Sequence, residues 1–409
     1  MKNTKPRGVL ACGIAAALML GATSGAFAQA SSEPRVDIYG HVMLDMGYQS
    51  GQSDPDWFDV MRPTKLPSFE DEFGHDGNWF SGVRQTRFGI KSYQPTEMGE
   101  LRTTFEFELF GTGGDAGQTT FRLRHAYGEL GKFGAGQTWS PFMDIDVFPN
   151  TLEYWGPNGM AFFRNVQVRW MPLQGDTRAT IALERPGASG DAGMYAGAEA
   201  LSDVKSRFPL PDLSAEYHVG RPWGYVEMAG IVRSITWDDL DTTDGTDLSD
   251  SKTGWGLNLS SNIKNGEKGT LRLQALYGEG VENYMNDATV DVGVVANPGG
   301  NPSQPFLGEL LPVTGMVAFY DLTWNPRWSS SLGYSMLEID NSDGQSDDAF
   351  HRGDYALVNL LHYPAKNVMM GIEGQYGRRE NFRDGWTSDD FRVQFSAKYN
   401  FSISLGGKS

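Results

Sequence analysis

The sequence predicts an all-β fold: a 16-stranded antiparallel transmembrane β-barrel whose third extracellular loop folds inward. Three observations lead to it. Segments of alternating apolar and polar residues recur along the chain, long connections between them alternate with short ones, and no long apolar run follows the first 28 residues. The 409 residues also include 51 glycines, 23 Phe, 16 Tyr and 11 Trp. This composition fits strands that show one face to lipid and the other to water.

The chain begins with a predicted secretory signal peptide, residues 1–28. Three basic residues precede an apolar stretch that ends in the small-residue cleavage site Ala26-Phe27-Ala28. The only cysteine, Cys12, lies in this segment, so the mature chain, residues 29–409, is expected to have no disulfide and no thiolate metal site. Val9-Leu10-Ala11-Cys12 also resembles a lipidation motif, but too little apolar sequence precedes it. The mature chain is therefore expected to be exported.

The clearest strand is the last, where apolar or aromatic residues alternate with polar ones from Phe391 to Phe401. This segment is long enough to cross the core of a bilayer at the tilt usual in barrels. Similar patterns recur, and aromatic residues concentrate near the strand ends, as in interfacial girdles. The predicted strands lie near 36–48, 83–93, 100–110, 120–130, 133–141, 163–171, 176–185, 211–220, 223–235, 253–263, 269–279, 314–324, 328–337, 354–363, 367–377 and 391–401.

The connections between these strands alternate in length, which is typical of outer-membrane barrels with short periplasmic turns and long extracellular loops. The short ones contain turn residues such as Gln94-Pro95, Gly131-Lys132 and Asn325-Pro326. The predicted loops are 49–82, 111–119, 142–162, 186–210, 236–252, 280–313, 338–353 and 378–390. Both termini are therefore expected in the periplasm, and the barrel forms one domain in the outer membrane of a Gram-negative-type envelope.

The acidic residues concentrate in the predicted extracellular loops. The signal peptide has three basic residues and no acidic one, so the formal net charge of -17 becomes -20 in the mature chain. Loops 49–82, 236–252 and 338–353 supply most of this charge. Such loops disfavour nucleic acid as a partner and suit a lipopolysaccharide surface bridged by divalent cations. Their aspartates could bind calcium, but none forms a complete twelve-residue calcium loop, so solvated loops are the simpler interpretation.

The predicted lumen differs from the loops, because alternation points seven cationic side chains inward from one half of the wall. They are Arg87, Lys91, Arg102, Arg122, Arg124, Arg169 and Arg178. Glu106, Glu108 and Glu184 also face inward, so some of the arginines must be paired, while His125 is expected to point outward. Clustered Arg and Lys side chains bind carboxylate and make pores favour anions. The alternative is that a water-filled lumen simply holds polar side chains.

The third long connection is expected to fold into the barrel, since the segment 141–162 is rich in aromatic residues. It also carries Asp144, Asp146 and Glu153. Folded inward, it would narrow the pore and set these acids across from the basic wall, producing a transverse field. The seven cations together with Asp144 and Asp146 form the predicted solute-binding constriction.

Several stretches also resemble a known family. They are Asn359–Pro364, Gly371–Asn381, Asp384-Gly385 and the closing strand to Phe401, supported by Thr86–Lys91 and Arg122–Tyr127. On these residues the chain resembles the dicarboxylate-channel (DcaP-like) family of trimeric outer-membrane porins. The resemblance implies a homotrimer that takes up dicarboxylic or aromatic anions. It also implies that Arg87, Arg122, Arg124 and Arg169 form the basic side of the constriction and that Asp144 lies on the inward loop.

Two features depart from that family. Some members carry a helical, coiled-coil-forming segment before the first strand, whereas here only a few residues separate the cleavage site from Val36. The chain also continues past Phe401 to Ser409, although outer-membrane barrels usually end at the terminal aromatic residue.

The predicted function is passive diffusion of small, preferentially anionic solutes, with no cofactor and no catalysis. The six histidines have no serine and carboxylate at a spacing that suggests a hydrolase. Two alternatives remain: a general non-selective porin, and a surface receptor or adhesin that acts through the acidic loops. The expected partners are small anionic solutes, outer-membrane lipid with lipopolysaccharide, and further copies of the chain, but no nucleic acid.

Overall fold

The computed structural model describes residues 33–111 and 118–407. Sixteen antiparallel strands form a closed barrel in which each strand pairs with the next along the chain. The last strand pairs with the first along the whole length of the first strand, from Arg35 opposite Gly406 to Gln49 opposite Arg392. The predicted signal peptide, residues 1–28, lies outside the described residues.

The strands of the first half are β1 (Arg35–Gln49), β2 (Arg87–Thr96), β3 (Gly99–Glu108), β4 (Arg122–Leu130), β5 (Phe133–Trp139), β6 (Arg164–Leu173), β7 (Thr177–Glu184) and β8 (Asp212–Arg221). Those of the second half are β9 (Gly224–Asp239), β10 (Asp250–Asn265), β11 (Gly269–Glu279), β12 (Pro312–Asn325), β13 (Trp328–Ile339), β14 (Phe350–Ala365), β15 (Val368–Asn381) and β16 (Thr387–Gly406). All sixteen predicted strands are present, so the predicted barrel is confirmed.

The connections between the strands contain short elements of secondary structure. Asn78–Gly82 pairs with the extracellular end of β1, and Val204–Arg207 pairs with the extracellular end of β9. Gly190–Asp191, Val292–Ala296 and Phe306–Leu310 form a separate three-stranded sheet. The 3₁₀ turns are Pro55–Trp57, Pro63–Lys65, Ile145–Val147, Gly193–Tyr195, Glu199–Leu201, Thr242–Asp244 and Glu282–Tyr284. Across the two described ranges, no helix combines the length and the apolar character that crossing a membrane requires.

Two strand ends differ from the prediction. Gln94-Pro95 was expected to form a turn but belongs to β2, which continues to Thr96. Tyr93 is the last β2 residue that pairs with β1, so the missing N–H of Pro95 leaves no bond to that strand unmade. The tail after Phe401 also continues the barrel, because β16 runs to Gly406 and pairs with the start of β1.

The outer surface follows the predicted alternation. In β16, Phe391, Val393 and Tyr399 are exposed on the outside, while Arg392 and Gln394 between them are buried inside. The same change of face occurs along the other strands, where exposed Val, Leu, Met and aromatic side chains alternate with inner ones. The apolar side chains on the outer face suit contact with lipid.

The interior contains a feature that the alternation did not reveal. Three connections fold inward and pack on the inner faces of β9 to β14, where they form an apolar cluster. Its members from the connections are Met61, Leu66, Phe142, Met143, Val147, Met160, Ala161, Val281, Tyr284, Met285 and Leu311. Those from strands β9 and β11 to β14 are Ala229, Ile231, Leu276, Val313, Val317, Phe319, Leu337, Ile339, Phe350, Tyr355 and Leu357. One side of the barrel is therefore packed rather than open.

Candidate functional site

A cluster of arginines surrounds Glu108 on the inner wall formed by β2, β3, β4 and β6. The Glu108 carboxylate is fully buried and lies 2.8 Å from Arg124, 3.3 Å from Arg87 and 3.7 Å from Arg122. A fourth guanidinium, that of Arg164, approaches to 4.0 Å. A single carboxylate is thus shared by four cations.

Glu106 supplies a second carboxylate to the same group. It accepts a hydrogen bond of 2.6 Å from Arg124 Nε and one of 2.7 Å from the Tyr39 hydroxyl, and Arg87 lies 3.8 Å away. Arg124 therefore spans both carboxylates. We call Arg87, Arg122, Arg124, Arg164, Glu106 and Glu108 the basic cluster. Four guanidiniums and two carboxylates give it a formal net charge of about +2.

A β-bulge explains how so many side chains converge. Glu106 and Phe107 on β3 lie opposite His125 and Leu123 on β4, so Arg124 is an extra residue in the ladder. The bulge lets both Arg124 and His125 reach the interior. His125 Nδ1 lies 3.0 Å from the hydroxyl of Thr138, and its ring is 4.0 Å from Glu106. The prediction that His125 points outward is wrong, because one extra residue reverses the alternation.

Arg164 was missed by the sequence analysis. It is an odd number of positions from Arg169, and strict alternation places these two residues on opposite faces of β6. Arg164 is the first residue of this strand, and its guanidinium turns inward, 4.9 Å from the ring centroid of Trp139. One of its terminal nitrogens, Nη1, is buried without a hydrogen-bond partner in the described part of the chain. No strand pattern would have identified it.

Two of the predicted cations lie nearer the periplasm than the basic cluster. Arg102 is half-exposed, and it forms ion pairs with Glu100 at 2.8 Å and Glu129 at 3.5 Å. The ammonium of Lys91 lies 5.1 Å from the ring centroid of Tyr39. Neither side chain contacts the central carboxylates.

The other two predicted cations lie further around the wall. Arg169 donates to Gln167 at 2.9 Å and to the carbonyl of Trp139. Arg178 lies 2.8 Å from Glu227, 3.7 Å from Glu216 and 3.9 Å from Asp146, so acids outnumber the cation there. The predicted basic wall is therefore divided: Arg87, Arg122 and Arg124 meet, while the remaining four predicted cations do not join them.

The third long connection, residues 140–163, is here called L3, and it first descends along β10. Asn258 and Asn262 donate to the carbonyls of Phe142 and Asp146, at 2.9 and 2.6 Å. Between them, the Asp144 carboxylate accepts hydrogen bonds of 2.6 Å from Ser260 and Tyr225. Asn258, Ser260 and Asn262 lie on successive inner positions of β10, so this part of L3 follows the wall toward the periplasm.

L3 then crosses to the opposite wall. The side chain of Asn359 on β14 donates to the Asn150 carbonyl at 2.8 Å. Glu373 on β15 accepts hydrogen bonds from the backbone N–H groups of Leu152 and Glu153, at 2.8 and 3.0 Å. Strand side chains therefore hold the backbone of L3 at several points around the interior.

Tyr154 brings L3 to the basic cluster. Its hydroxyl donates to Glu108 and accepts hydrogen bonds from Arg124 at 3.2 Å and Arg122 at 3.3 Å. Its ring stacks on Phe110, with centroids 4.1 Å apart and planes 11° apart. L3 thus touches the wall at the point where the cations are most concentrated.

The acids of L3 take positions different from those expected. Asp144 and Glu153 are buried, and only Asp146 is substantially exposed. Glu153 accepts hydrogen bonds from the backbone N–H groups of Trp155 and Gly156. Burial, together with the neighbouring Glu373, raises the pKa of Glu153 to about 8, and burial also raises the pKa of Asp144. The expected row of three acids facing the arginines is therefore not formed.

No metal centre accompanies these groups: within residues 33–111 and 118–407, no three His, Asp or Glu side chains are placed to hold a metal ion. What the wall offers is guanidinium groups, carboxylates and hydroxyls. These groups suit reversible binding of polar solutes.

A closed 16-stranded meander with an apolar outer face, a charged inner wall and a connection folded inside defines an outer-membrane channel of the porin type. The chain belongs to the DcaP outer membrane protein family, whose sequence model matches residues 33–401. It is accordingly an outer-membrane channel protein. A search of curated protein sequences finds no match to the chain.

Solved structures share the fold. The outer membrane channel DcaP of Acinetobacter baumannii has a TM-score of 0.74 and 23% sequence identity, covering 92% of this chain and 100% of that one. The anion-selective porin from Comamonas acidovorans has a TM-score of 0.56 at 10% identity, covering 90% and 100%. The trimer form of OmpT from Vibrio cholerae has a TM-score of 0.53 at 14% identity, covering 90% and 99%.

Proposed function

We propose that this channel allows passive diffusion of small, preferentially anionic solutes, such as dicarboxylates or aromatic acids, past the basic cluster, without a catalytic step. The observation that carries the proposal is the excess of cations around two carboxylates. Arg87 and Arg122 remain about one-quarter exposed, so their guanidiniums are accessible to a passing solute. The carboxylate of such a solute can accept paired hydrogen bonds from a planar guanidinium.

The buried members of the cluster support the same selectivity through their field. Arg124 and Arg164 are almost fully buried, and little water screens them. A net positive charge in such surroundings acts on ions more strongly than it would in bulk water. An anion is therefore stabilised beside the cluster, while a cation is repelled. That another barrel of this fold is an anion-selective porin agrees with the proposal, which stands on the cluster itself.

Current recordings in a planar bilayer under a potassium chloride gradient test the proposal. We expect the sign of the reversal potential to show chloride preference, and the double variant Arg87→Gln, Arg122→Gln to lose most of it. The matched control is Arg352→Gln, which removes an arginine about one-third exposed and paired with Glu338 and Asp354 on β13 and β14. A cation preference of the unmodified channel would refute the proposal.

Liposome swelling separates a selective channel from a general one. We expect carboxylates to enter faster than uncharged sugars of similar size, because only the carboxylates gain from the basic cluster. Equal rates for the two solute classes would indicate a general non-selective porin whose arginines do not discriminate.

We also propose that the channel is a homotrimer surrounded by outer-membrane lipid and lipopolysaccharide. Phenylalanines from β16, β2 and β3 and from the position just before β4 cluster on the outer side of the barrel, where Phe88 contacts the rings of Phe401 and Phe107, and Phe107 contacts Phe121. The fold is shared with an OmpT that has a trimer form. Unheated detergent gels should show a species of about three times the monomer mass, and a monomer band alone would contradict this state.

A further inference from the structure

A cavity of about 280 Å³ opens on the inner wall on the periplasmic side of the basic cluster. It lies where β16, β1, β2 and β3 run side by side. The side chains that line it include Tyr39, His41, Arg87, Glu106, Asn400 and Ser402. This volume is slightly below that of typical ligand pockets, which limits the occupant to a small solute.

The strand pairing explains how these residues meet. His41 on β1 lies opposite Arg87 on one neighbouring strand and opposite Asn400 on the other. Arg87 and Asn400 therefore form two sides of the cavity, with His41 between them. The next inner residue of β16 toward the extracellular side is Lys398, opposite Met43. A second cation thus stands beside the cavity, across β1 from Arg87.

Lys398 is an unusual cation for a barrel interior. It is partly buried, and within the described part of the chain no hydrogen-bond or ion-pair partner lies within reach of its ammonium. Asp45, the acid on the adjacent strand, accepts hydrogen bonds from Gln85, Gln394 and Ser396 instead. Because no group of the described chain holds the ammonium, it is available to bind an anionic solute.

The acid that lines the cavity is already occupied. Glu106 is held by Arg124 and by the hydroxyl of Tyr39, as described above. Arg87 has donor capacity to spare, because its side chain is about one-quarter exposed and one of its nitrogens, Nε, has no hydrogen-bond partner among the described residues. The lining therefore offers the Arg87 guanidinium and no unpaired carboxylate, and the unpaired ammonium of Lys398 lies beside it across β1.

We propose that this cavity is a second anion-binding site, in which the carboxylate of a small solute binds between Arg87 and Lys398 after it leaves the basic cluster. The inference rests on the proposed anion channel and adds a site that the cluster alone does not supply. Arg87 belongs to both sites, so a carboxylate can exchange one set of partners for the other without passing through an uncompensated position. Several weak sites in series allow a pore to bind a solute and still release it.

The test is block of the chloride current by benzoate in a planar bilayer, with Lys398→Gln compared with the unmodified channel. Loss of one charged hydrogen bond is worth about 1.5 kcal/mol or more, so we expect the half-blocking concentration to rise about tenfold. Lys398→Arg should keep the block. The matched control is Lys366→Gln, which removes an exposed lysine from the nearby periplasmic turn and should leave the block unchanged.

The outcomes distinguish this site from the proposed function. If the unmodified channel prefers anions but neither Lys398→Gln nor Lys366→Gln changes the half-blocking concentration of benzoate, the cavity is not an anion site. The proposed anion channel is unaffected by that result. If benzoate block depends on Lys398 in a channel without chloride preference, the site is supported and the proposed selectivity fails. Heat-dependent migration on gels verifies that each variant is folded.

Discussion

The two sides of the barrel use the same strand pattern to build opposite interiors. On the side of β2 to β6, strands of 7 to 10 residues carry arginines and glutamates that hold one another. On the side of β9 to β14, strands of 11 to 16 residues carry apolar inner side chains covered by three connections. The first side will be called the charged side and the second the packed side.

The comparison teaches that alternation fixes which face a side chain points to, but not what it meets there. On the packed side, apolar residues leave water by contacting L3 and its neighbours, which is favourable in proportion to the area covered. On the charged side, each buried ion needs a counter-ion, and removing one leaves the others uncompensated. Single substitutions on the two sides should therefore destabilise the barrel for different physical reasons.

The largest effect is expected on the charged side from Glu108→Gln. This change leaves four guanidiniums around a neutral amide, and breaking a buried pair typically costs about 3–5 kcal/mol. The measurement is the urea midpoint of unfolding, followed by heat-dependent migration on gels. The control Glu100→Gln breaks only an exposed pair with Arg102 and should barely shift the midpoint. Equal shifts for the two variants would show that the Glu108 charge does not stabilise the four guanidiniums more than an exposed ion pair does.

On the packed side, Met160→Ala should cost nearly as much. Met160 belongs to L3 and is fully buried in the apolar cluster, and such truncations cost about 2–5 kcal/mol. We also expect noisier open-channel currents, because L3 loses part of its anchorage. Met316→Ala removes a half-exposed, lipid-facing methionine from β12 and is the matched control. If both variants behaved like the unmodified protein, the packed side would not hold L3.

The pH dependence of L3 should follow Glu153. Its pKa rises from 4.5 to about 8 when L3 is docked, so the docked form holds a proton that the undocked form has released. The docking contribution is complete below pH 4.5 and declines by at most roughly 1.4 kcal/mol per pH unit up to pH 8. Open-channel noise should therefore grow between pH 5 and pH 8. Glu153→Gln has no proton to release, and the same pH dependence in that variant would assign the effect to another group.

A smaller change is expected from Tyr154→Phe, which removes the hydroxyl that joins L3 to the basic cluster. Glu108 keeps its arginines, so the loss should be about 1–2 kcal/mol, with anion preference retained. Unfolding midpoints and reversal potentials measure the two properties. Tyr48→Phe, on the lipid-facing surface, is the control. Loss of anion preference in Tyr154→Phe would mean that L3, rather than the wall, sets the selectivity.

The smallest effect is expected from Arg102→Gln, because Arg102 is half-exposed and such pairs contribute less than about 1 kcal/mol. Its reversal potential should match that of the unmodified channel. A loss of selectivity as large as that of the double variant Arg87→Gln, Arg122→Gln would extend the constriction to the periplasmic end of the wall.

Sequence reasoning went further for the fold than for the site. All sixteen strands could be located because alternation is a local property. The long and short connections then indicated which end of each strand faces the extracellular side. Five of the seven predicted cations lie on strands other than β4, which carries the bulge. Arg164 was missed and His125 was misplaced because a strand end and a bulge interrupt the alternation, and neither leaves a mark in the pattern of residue types.

The sequence by itself determined the strands of the barrel, its lipid-facing surface and the charges of its wall, because each depends on neighbours along one strand. Only the tertiary structure decided which charges meet, that L3 brings Tyr154 to Glu108, and that Asp144 and Glu153 are buried. Those outcomes depend on contacts between residues far apart in the chain. The energy of a buried charge is set by every group around it, and the order of residues does not specify that arrangement locally.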